Sequence, residues 1–295
     1  MLISVVTTVY NNSEGLLQLF DKLVTQEEHN FEWIIIDDGS NFEQRKIMTK
    51  IRTNNIPFKI MLYHQANQGK HIALNYAFSK AKGDVTIIVD SDDKPLSTMI
   101  SIINKYWTAK RMTDERLGII TFERGITFRE PLRSLPKGEN RDNYIDFRYK
   151  NSLYGDYAET FKTSILKKYS FPNFYGEKFL NEGYILNKLG EKYDSLFIDR
   201  IIYLSSYRNE GLTKNIRKIE WNNPVGTFEV CKMGLDNINI SKKQMLKNII
   251  KYYLFGIKNK ISLRRLLNNI PNKIASIICI PIAVFLYFVF SIQYN

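Results

Sequence analysis

The sequence predicts an α/β fold with a mostly parallel sheet flanked by helices, followed by a helical, membrane-associated C-terminal extension. Over the first 110 residues apolar runs alternate with helical patterns, two of those runs end in carboxylates, and a long uncharged segment lies near the C-terminus. Strands separated by helices imply right-handed crossovers and a sheet that is covered on both faces. This arrangement explains why the runs are apolar throughout.

The first 110 residues divide into alternating strands and helices. The predicted strands are residues 2–9, 32–37, 58–63 and 84–90. The predicted helices are residues 13–26, 42–53, 69–82 and 95–110. With 295 residues, of which 44% are hydrophobic, the chain is long enough to bury a sizeable core.

Two of the predicted strands run directly into acidic residues. They are "IIIDDGS" at residues 34–40 and "IIVDSDD" at residues 87–93. In open α/β sheets, ligands bind beyond the carboxyl ends of the strands. We therefore expect both acid clusters to border a single cleft.

The chemistry of this cleft follows from the density of its charges. Asp90, Asp92 and Asp93 repel one another unless a counter-ion is present. Mn²⁺ or Mg²⁺ prefers carboxylate oxygen and often needs only one or two protein carboxylates when phosphates supply the other ligands. The "DSDD" turn therefore indicates a metal that bridges a diphosphate. The simpler alternatives are a solvated acidic turn here, and ordinary turn or N-cap chemistry in "DDGS".

Net charge and motifs narrow the class of protein. The chain has 42 Lys and Arg against 30 Asp and Glu, a formal charge of +12, which favours acidic partners. No acid follows Asp236, so the positive charge lies beside the apolar segment, while the best cleft is acidic. We therefore expect no nucleic-acid partner. The sequence also lacks GxxxxGK[ST] and a GxGxxG after the first strand, which removes the main support for kinases, ATPases and dinucleotide enzymes.

Four segments resemble, in order and spacing, the N-terminal half of family 2 glycosyltransferases, which are inverting enzymes of GT-A fold. The segments are "ISVVTTVYNN", "FEWIIIDDGS", "NQGKHIALNYAFSKAKGD" and "VTIIVDSDD". A weaker similarity, to a branch found in bacterial capsule and surface-polysaccharide synthesis, continues through "GDYAETFK", "FPNFYGEKFLNEGYILNKL" and "YRNEGLTKN". The two similarities imply a nucleotide-sugar half at 1–110 and an acceptor half at 111–235. The basic and apolar pattern of residues 236–295 predicts a separate membrane-associated helical region.

The resemblance also implies roles for single residues on the nucleotide side. The loop of Thr8, Val9 and Tyr10 is expected to cup the nucleobase, with Thr8 where the family commonly has Pro. Asp38 is expected to hold the uracil or ribose, supported by Asp37. The remaining implied nucleotide contacts are Asn67, Gly69, Lys70, Asp90, Ser91 and Asp92. Asp90 and Asp92 match the DXD-type motif, with Asp92 the expected metal ligand.

An inverting transfer needs a base on the face of the sugar opposite the diphosphate. Glu182, just before a helical run, matches the family's catalytic acid position, and this resemblance makes it the predicted base. Asp156 and Glu159 are the rivals, with a more natural role in placing the donor sugar or the acceptor. Without the resemblance, Glu182 reads better as a helix-start carboxylate favoured by the macrodipole. Three histidines without paired spacing make zinc improbable, and His71 is expected near the nucleotide.

The C-terminal segment predicts membrane attachment. Residues 242–268 place basic and apolar side chains at helical spacing, as in a surface helix against anionic lipid. Residues 274–292 then form an uncharged run that is nearly long enough to cross a bilayer, or that forms a buried helix or a hairpin in one leaflet. The preceding Lys and Arg would keep this flank on the cytoplasmic face of the bacterial membrane, and the first residues enter a strand rather than a signal peptide.

Together these features predict transfer of a sugar from a UDP-sugar to a hydroxyl of a glycan or lipid-linked acceptor, with Mn²⁺ or Mg²⁺. The first alternative is a sugar-nucleotide nucleotidyltransferase, although "TTVYNNSEG" lacks the Gly-rich basic loop expected of one. The second is a non-catalytic nucleotide-binding membrane protein.

Overall fold

The computed structural model describes residues 1–49, 51, 56–153, 155–205, 215–235, 241–270 and 272–294. The end of the predicted helix 42–53 and most of "YRNEGLTKN" lie outside the described residues.

One mixed sheet forms the centre of the described structure. Its strands are β1 (Ile3–Val9), β2 (Phe31–Asp38), β3 (Lys59–Gln65), β4 (Val85–Ile88), β5 (Lys94–Pro95), β6 (Leu117–Gly125), β7 (Glu139–Asn143), β8 (Ala158–Lys162) and β9 (Asp194–Leu204). Their order is β3-β2-β1-β4-β8-β6-β9-β5, and β7 pairs with β9. The first four strands are parallel, whereas β8 runs antiparallel to β4 and β6. The predicted α/β class is confirmed.

Helices cover the sheet and then continue beyond it. They are α1 (Ser13–Val24), α2 (Phe42–Thr49), α3 (Lys70–Lys80), α4 (Met99–Tyr106), α5 (Ala109–Thr113), α6 (Tyr144–Lys150), α7 (Thr163–Leu166), α8 (Gly183–Gly190), α9 (Ile216–Asn222), α10 (Pro224–Met233), α11 (Lys242–Lys258), α12 (Leu263–Asn268) and α13 (Lys273–Tyr294).

The helix predicted for residues 95–110 is wrong at its start and is interrupted. Lys94 and Pro95 instead form β5, which pairs with the end of β9, and the next N–H, of Leu96, donates to Ile202. The helical pattern therefore begins only at α4. A second helix, α5, follows Thr108, whose hydroxyl accepts from the Arg111 N–H as an N-cap.

Both faces of the sheet are buried, as the apolar strands predict. β2 is buried at every position. On one face Trp33 stacks on Phe20 of α1, with ring centroids 6.3 Å apart. On the other, Ile34 belongs to a cluster with Leu74 of α3. Complete burial of one such side chain stabilises the folded state by about 1.5–3 kcal/mol. The buried strands therefore fix the positions of the loops that follow them.

The C-terminal helices have a separate core. It includes Trp221 of α9, Phe228 of α10, Tyr252 and Tyr253 of α11, and Cys279 of α13. The apolar side of α11 therefore packs on protein, and the prediction that this side rests on lipid is wrong for these tyrosines. The small side chains of α13 that allow the close packing are Ala275, Ser276, Cys279 and Ala283.

α13 is the helix among the described residues that is long and apolar enough to cross a membrane. It has 22 residues and continues through Pro281. One side is packed on the C-terminal core, whereas large apolar side chains on the other side are exposed. These are Ile274, Ile277, Ile278, Ile282, Phe285, Phe288, Val289 and Ile292.

Candidate active site

The two acid clusters follow neighbouring parts of one sheet edge. In the parallel register, Val9 lies beside Asp37, and Asp37 lies beside His64. β4 runs parallel to β1 on its other side, so its following turn, Asp90 to Asp93, lies at the same edge. Both acid clusters therefore lie at the same edge of the sheet, as predicted.

The end of β1 differs from the expected loop. Thr8 and Val9 belong to strand β1, and Val9 is buried in the core beneath the sheet. Val9 can therefore offer only backbone groups to a ligand. Tyr10, the first residue past the strand, is 56% exposed and lies at the cleft edge.

Asp37 and Asp38 hold the loops that follow their strand. Asp37 accepts from the Ser40 N–H at 2.9 Å and contacts His64 Nδ1 at 2.8 Å. Asp38 accepts from Gln65 Nε2 at 2.8 Å. It also accepts from the backbone N–H groups of residues 68 and 69, at 2.9 and 2.8 Å. Buried carboxylates with this many donors fix the loop from residue 65 to residue 69.

Two glycines let this loop approach its neighbours. Gly39 has φ +80°, and a β-carbon there would lie 2.6 Å from the Asn67 nitrogen. Gly69 has φ +93°, and its β-carbon would lie 1.9 Å from the Lys178 carbonyl oxygen. Only glycine fits both requirements at these positions. Asn67 and Gly69 therefore lie against the β2 turn and the segment preceding Glu182, respectively.

Lys70, the first residue of α3, joins the two halves of the cleft. Its Nζ lies 2.6 Å from Asp90 Oδ1 and 2.5 Å from Glu182 Oε1. Burial lowers the pKa of Lys70, but the charges of Asp90 and Glu182 outweigh burial and raise the pKa above its ordinary value. Burial likewise raises the pKa of Asp90, but Lys70 and Arg124 outweigh it and the net pKa is lowered.

The contact of Glu182 with Lys70 bears on the helix-start alternative. Glu182 precedes α8, but its side chain makes no cap hydrogen bond to that helix. Asn181 Oδ1 instead accepts from the Gly183 N–H at 2.7 Å. The Glu182 carboxylate is therefore directed to the cleft and not to its own helix.

A second cation, Arg124 at the end of β6, joins the turn from Asp90 to Asp93 to the predicted acceptor side. Its guanidinium lies 2.5 Å from Asp93 and 4.0 Å from Asp156. Asp93 also accepts from the Ser205 hydroxyl at 3.1 Å. Burial raises the pKa of Asp93 above its ordinary value, against the charge of Arg124. Asp93 is thus committed to protein partners, whereas the Asp156 side chain is 72% exposed.

Ser91 of the turn and Glu159 both form hydrogen bonds with protein side chains. Ser91 is buried and its hydroxyl accepts from Asn12 Nδ2 at 2.8 Å, which fixes the turn between Asp90 and Asp92. Glu159 accepts from the Tyr144 hydroxyl at 2.7 Å, and burial raises its pKa. Glu159 therefore serves a buried network.

His71 is 1% exposed, and its ring packs edge-on against Phe171. Burial lowers its pKa, against the charge of Asp38. That His71 lies near the nucleotide stays a prediction.

The donor set fits a hard divalent cation. Five carboxylates surround this end of the cleft: Asp90, Asp92, Asp93, Asp156 and Glu182. Lys70 contacts Asp90 and Glu182, and Arg124 contacts Asp93 and Asp156. The described ranges hold no group of three or more His, Cys, Asp or Glu side chains arranged as a complete metal cage. A site of one or two carboxylates is typical of Mg²⁺ or Mn²⁺ bound together with phosphates.

The sequence also matches a known family model. The model described as glycosyl transferase family 2 matches residues 4–170, more than half of the chain. The chain belongs to glycosyl transferase family 2. This membership confirms the predicted glycosyltransferase class and disfavours the nucleotidyltransferase alternative. The capsule branch stays a prediction.

Curated relatives of this family 2 chain match over its N-terminal part. An uncharacterized glycosyltransferase of Nostoc is 36% identical over 93 residues, which is 32% of this chain and 29% of the relative. An undecaprenyl-phosphate 4-deoxy-4-formamido-L-arabinose transferase of Proteus mirabilis is 33% identical over 93 residues, 30% of this chain and 28% of the relative. The chain thus spans less than a third of the length of these two relatives.

Solved structures resemble the chain over most of its length. S. aureus TarS residues 1–349 in complex with UDP-GlcNAc has TM-score 0.62 at 16% identity, covering 91% of this chain and 79% of that chain. A mannosyltransferase of Pyrobaculum calidifontis in complex with GDP-Man and Mn²⁺ has TM-score 0.56 at 15% identity, covering 99% and 82%. At these identities the likeness shows the fold, and the GT-A fold is confirmed.

Several residues at this site were not singled out from the sequence. They are Arg124, Lys178 and Ser205. Arg124 gives a detectable signal, because it is a charged residue at the end of the buried run "LGIITFERG". The others lie in loops or at element ends without local periodicity, and only their distant partners reveal them.

Proposed function

We propose that this family 2 glycosyltransferase transfers a sugar from a UDP-sugar to a hydroxyl group of a glycan or lipid-linked acceptor, with inversion at the anomeric carbon. The observation that carries the proposal is the Lys70 amine, which bonds both Asp90 of the acidic turn and Glu182. A candidate metal ligand, Asp90, and a candidate base, Glu182, from the two halves of the chain thus contact the same amine.

The comparisons support the chemistry of the donor. The TarS structure holds UDP-GlcNAc and the archaeal mannosyltransferase holds GDP-Man with Mn²⁺. Both have the fold of this chain, in which the acidic edge follows β2 and β4. We infer a nucleotide diphosphate sugar as the donor and Mn²⁺ or Mg²⁺ as the ion. The choice of uridine rests on the resemblance of the first four sequence segments.

On the donor side, Asp90 and Asp92 would hold the ion, which when bound supplies Lewis-acid stabilisation of the departing diphosphate. Lys70 adds a positive charge beside it. Asp38 keeps the loop from Gln65 to Gly69 in place, so that Asn67 borders the nucleoside. Thr8 and Tyr10, together with the Val9 backbone, form the other wall. Ser91, buried and bonded to Asn12, holds the turn.

On the acceptor side, Glu182 takes the proton of the acceptor hydroxyl. The oxygen forms a bond to the anomeric carbon as the bond from that carbon to the diphosphate oxygen breaks, and the electron pair leaves with UDP. Before this, Glu182 must exchange its contact with Lys70 for the acceptor hydroxyl. Asp156, exposed beyond Arg124, orients the acceptor or the donor sugar. A positioned base contributes about 10²–10⁴ in rate.

The acceptor is proposed to be presented at the cytoplasmic face of the bacterial membrane. The exposed apolar side of α13 supports this location, together with nine Lys and Arg and no acid between residues 241 and 294. The Proteus relative is named for undecaprenyl phosphate, a lipid carrier. Because α13 packs along α11 from Ala275 to Ala283 and reaches Trp221 at Tyr287 and Phe290, we infer that it lies in the interface.

The test is release of UDP from UDP-sugars in the presence of Mn²⁺. The wild type should release UDP, and Asp92→Asn should lose most metal-dependent UDP release and UDP binding, because one expected ligand of the ion is removed. Asp21→Asn, an exposed aspartate of α1, is the matched control and should retain both activities. Unchanged turnover in Asp92→Asn would remove the metal role, and exchange of pyrophosphate instead of UDP release would favour a nucleotidyltransferase.

A further inference from the structure

The segment that leads to Glu182 is held by α10 through two side chains. We propose that Glu177 and Asn223 are positioning residues, which fix this segment so that Glu182 faces the cleft, and that the C-terminal helices are thereby part of the catalytic architecture. The proposal rests on the proposed function in one respect, the role of Glu182 as base.

Glu177 binds the first turn of α10. Its carboxylate is buried and accepts from the Val225 N–H at 2.6 Å and the Gly226 N–H at 2.7 Å. The first N–H groups of a helix have no partner within the helix. A carboxylate at this end satisfies two of them and interacts favourably with the helix dipole.

Asn223, directly before α10, binds the backbone that follows Glu177. Its Oδ1 accepts from the Lys178 N–H at 2.8 Å and the Phe179 N–H at 3.0 Å. Its Nδ2 donates to the Ile219 carbonyl at 2.8 Å, which fixes the orientation of the amide. The 177–179 backbone and the start of α10 are therefore bound reciprocally by four backbone-directed hydrogen bonds.

The opposite side of the same segment rests on the nucleotide loop. The Lys178 carbonyl lies against Gly69, which has no room for a β-carbon, and the Gly69 N–H donates to Asp38. The next residue, Lys70, holds Glu182. The segment from Glu177 to Glu182 is thus enclosed between the nucleotide loop and α10.

This enclosure is important because Glu182 must leave Lys70 to accept a proton. Its backbone then has to stay in place without that ion pair, and the hydrogen bonds of Glu177 and Asn223 supply the restraint. A displacement of about 1 Å in a catalytic group can cost about 10²-fold in rate. Loss of the restraint should therefore lower kcat and leave nucleotide binding, which uses the other wall of the cleft, intact.

A matched pair of variants separates positioning from general stability. Glu32 lies near the start of β2, at the end of the strand away from the acid clusters. It is also a buried carboxylate that accepts hydrogen bonds from two backbone N–H groups, those of Lys82 and Gly83. We expect Glu177→Ala to lower kcat for UDP release from a UDP-sugar with Mn²⁺ by about 10- to 100-fold, with UDP affinity within twofold of wild type. Glu32→Ala should lower the melting temperature without this loss of kcat.

Asn223 supplies a second, conservative comparison. Asn223→Asp keeps an oxygen that can accept from both N–H groups but loses the donor to the Ile219 carbonyl. It should therefore retain more of the kcat than Asn223→Leu, which should lose kcat as Glu177→Ala does. Hydrogen–deuterium exchange should show faster exchange of the Lys178 and Phe179 amides in Asn223→Leu and not in Glu32→Ala. If Glu177→Ala fails to fold, Glu177→Gln, which removes one acceptor oxygen, takes its place.

The outcomes are distinct from those of the proposed function. If wild type releases no UDP, the proposed function fails, and the exchange rates of the 178–179 amides still decide whether the segment is held by α10. Normal kcat in Glu177→Ala and Asn223→Leu with only reduced thermal stability would overturn the positioning role. Unchanged amide exchange in both variants would overturn it as well.

Discussion

At the scale of single residues, the Lys70 amine joins two acids from different halves of the chain. It lies within hydrogen-bonding distance of Asp90 and Glu182, which come from the end of β4 and the start of α8. Arg124 has the corresponding position between Asp93 and Asp156. Each cation thus joins one acid of the turn to one acid of the second half of the chain.

The assignment of the base is testable at this scale. Glu182→Gln should reduce sugar transfer by about 10²–10⁴ because an amide cannot accept the proton. UDP affinity should be retained, since Lys70 keeps its contact with Asp90. The measurement is turnover and UDP binding of Glu182→Gln and Asp156→Asn under the same conditions. Loss of transfer in Asp156→Asn alone would make Asp156 the base.

A pH-dependent ion pair lies outside the cleft. The hydrogen bond from Arg141 lowers the pKa of Asp114 from 3.8 to about 2. A lowered carboxyl pKa contributes stability that is present above pH 3.8 and is lost as the pH falls toward about 2. Asp114→Asn should therefore be less stable than wild type at pH 7, by less than about 1 kcal/mol because the pair is partly exposed.

Thermal unfolding at several pH values checks this prediction. The difference between Asp114→Asn and wild type should disappear between pH 3.8 and about 2, and the exposed Asp21→Asn is the control. A difference that is constant through this range would show that the ion pair is not its source.

At the scale of elements, close backbone approaches bring the loops of the cleft together. The loop between β3 and α3 donates two backbone hydrogen bonds to Asp38. At Gly69 the same loop packs against the Lys178 carbonyl. α8 and α10 hold the other side of that contact. The geometry of the cleft is therefore a property of loop packing as much as of the sheet.

Gly69→Ala tests this packing. The new β-carbon would meet the Lys178 carbonyl oxygen at 1.9 Å, so the loop or the Glu182 segment must move, and we expect loss of most UDP release. Gly138→Ala is the matched control, since Gly138 also has a positive φ, +82°, but no atom within 4 Å of the new carbon. The control should cost only about 1–2 kcal/mol of unfolding free energy from backbone strain. Equal losses of activity in both variants would contradict the role of this contact.

At the scale of the whole molecule, the C-terminal helices form a core of their own that is linked to the catalytic half through α10. Their small residues pack inward, and α13 presents its largest apolar side chains outward. The same region carries basic residues and no acid between residues 241 and 294. This combination favours a helix lying at the surface of an anionic membrane.

Vesicle flotation tests the membrane surface. Replacing Ile278 and Phe285, which are 61% and 65% exposed, with Asp should weaken binding to vesicles containing anionic lipid by at least tenfold, because charge replaces apolar surface at the interface. Phe42→Asp, at a 71% exposed position in α2, is the control and should bind as wild type does. Binding should weaken in high salt, and equal binding of all variants would contradict the proposed surface.

Sequence patterns predicted some elements of the fold correctly and others incorrectly. The existence of β2 and β4 and the placement of both acid clusters at one edge followed from apolar runs and crossover rules, whereas the exact strand ends, Asp38 and Ile88, differ from the predicted 37 and 90. The start of α4 did not, because a two-residue pairing with β9 replaced the expected helix. The apolar side of α11 was assigned to lipid, since the same periodicity describes a helix on a membrane and a helix against α13.

Short-range sequence patterns were enough to predict the α/β class, the acids that follow strands and the apolar C-terminal helix. Each of these features depends on residues only a few positions apart. Only the tertiary structure determined which polar groups pair. These pairs are Lys70 with Glu182, Arg124 with Asp93, and Glu177 with the first turn of α10. Such pairs join segments far apart in sequence. Their choice depends on how the loops pack once the sheet has formed, and no short-range period encodes that.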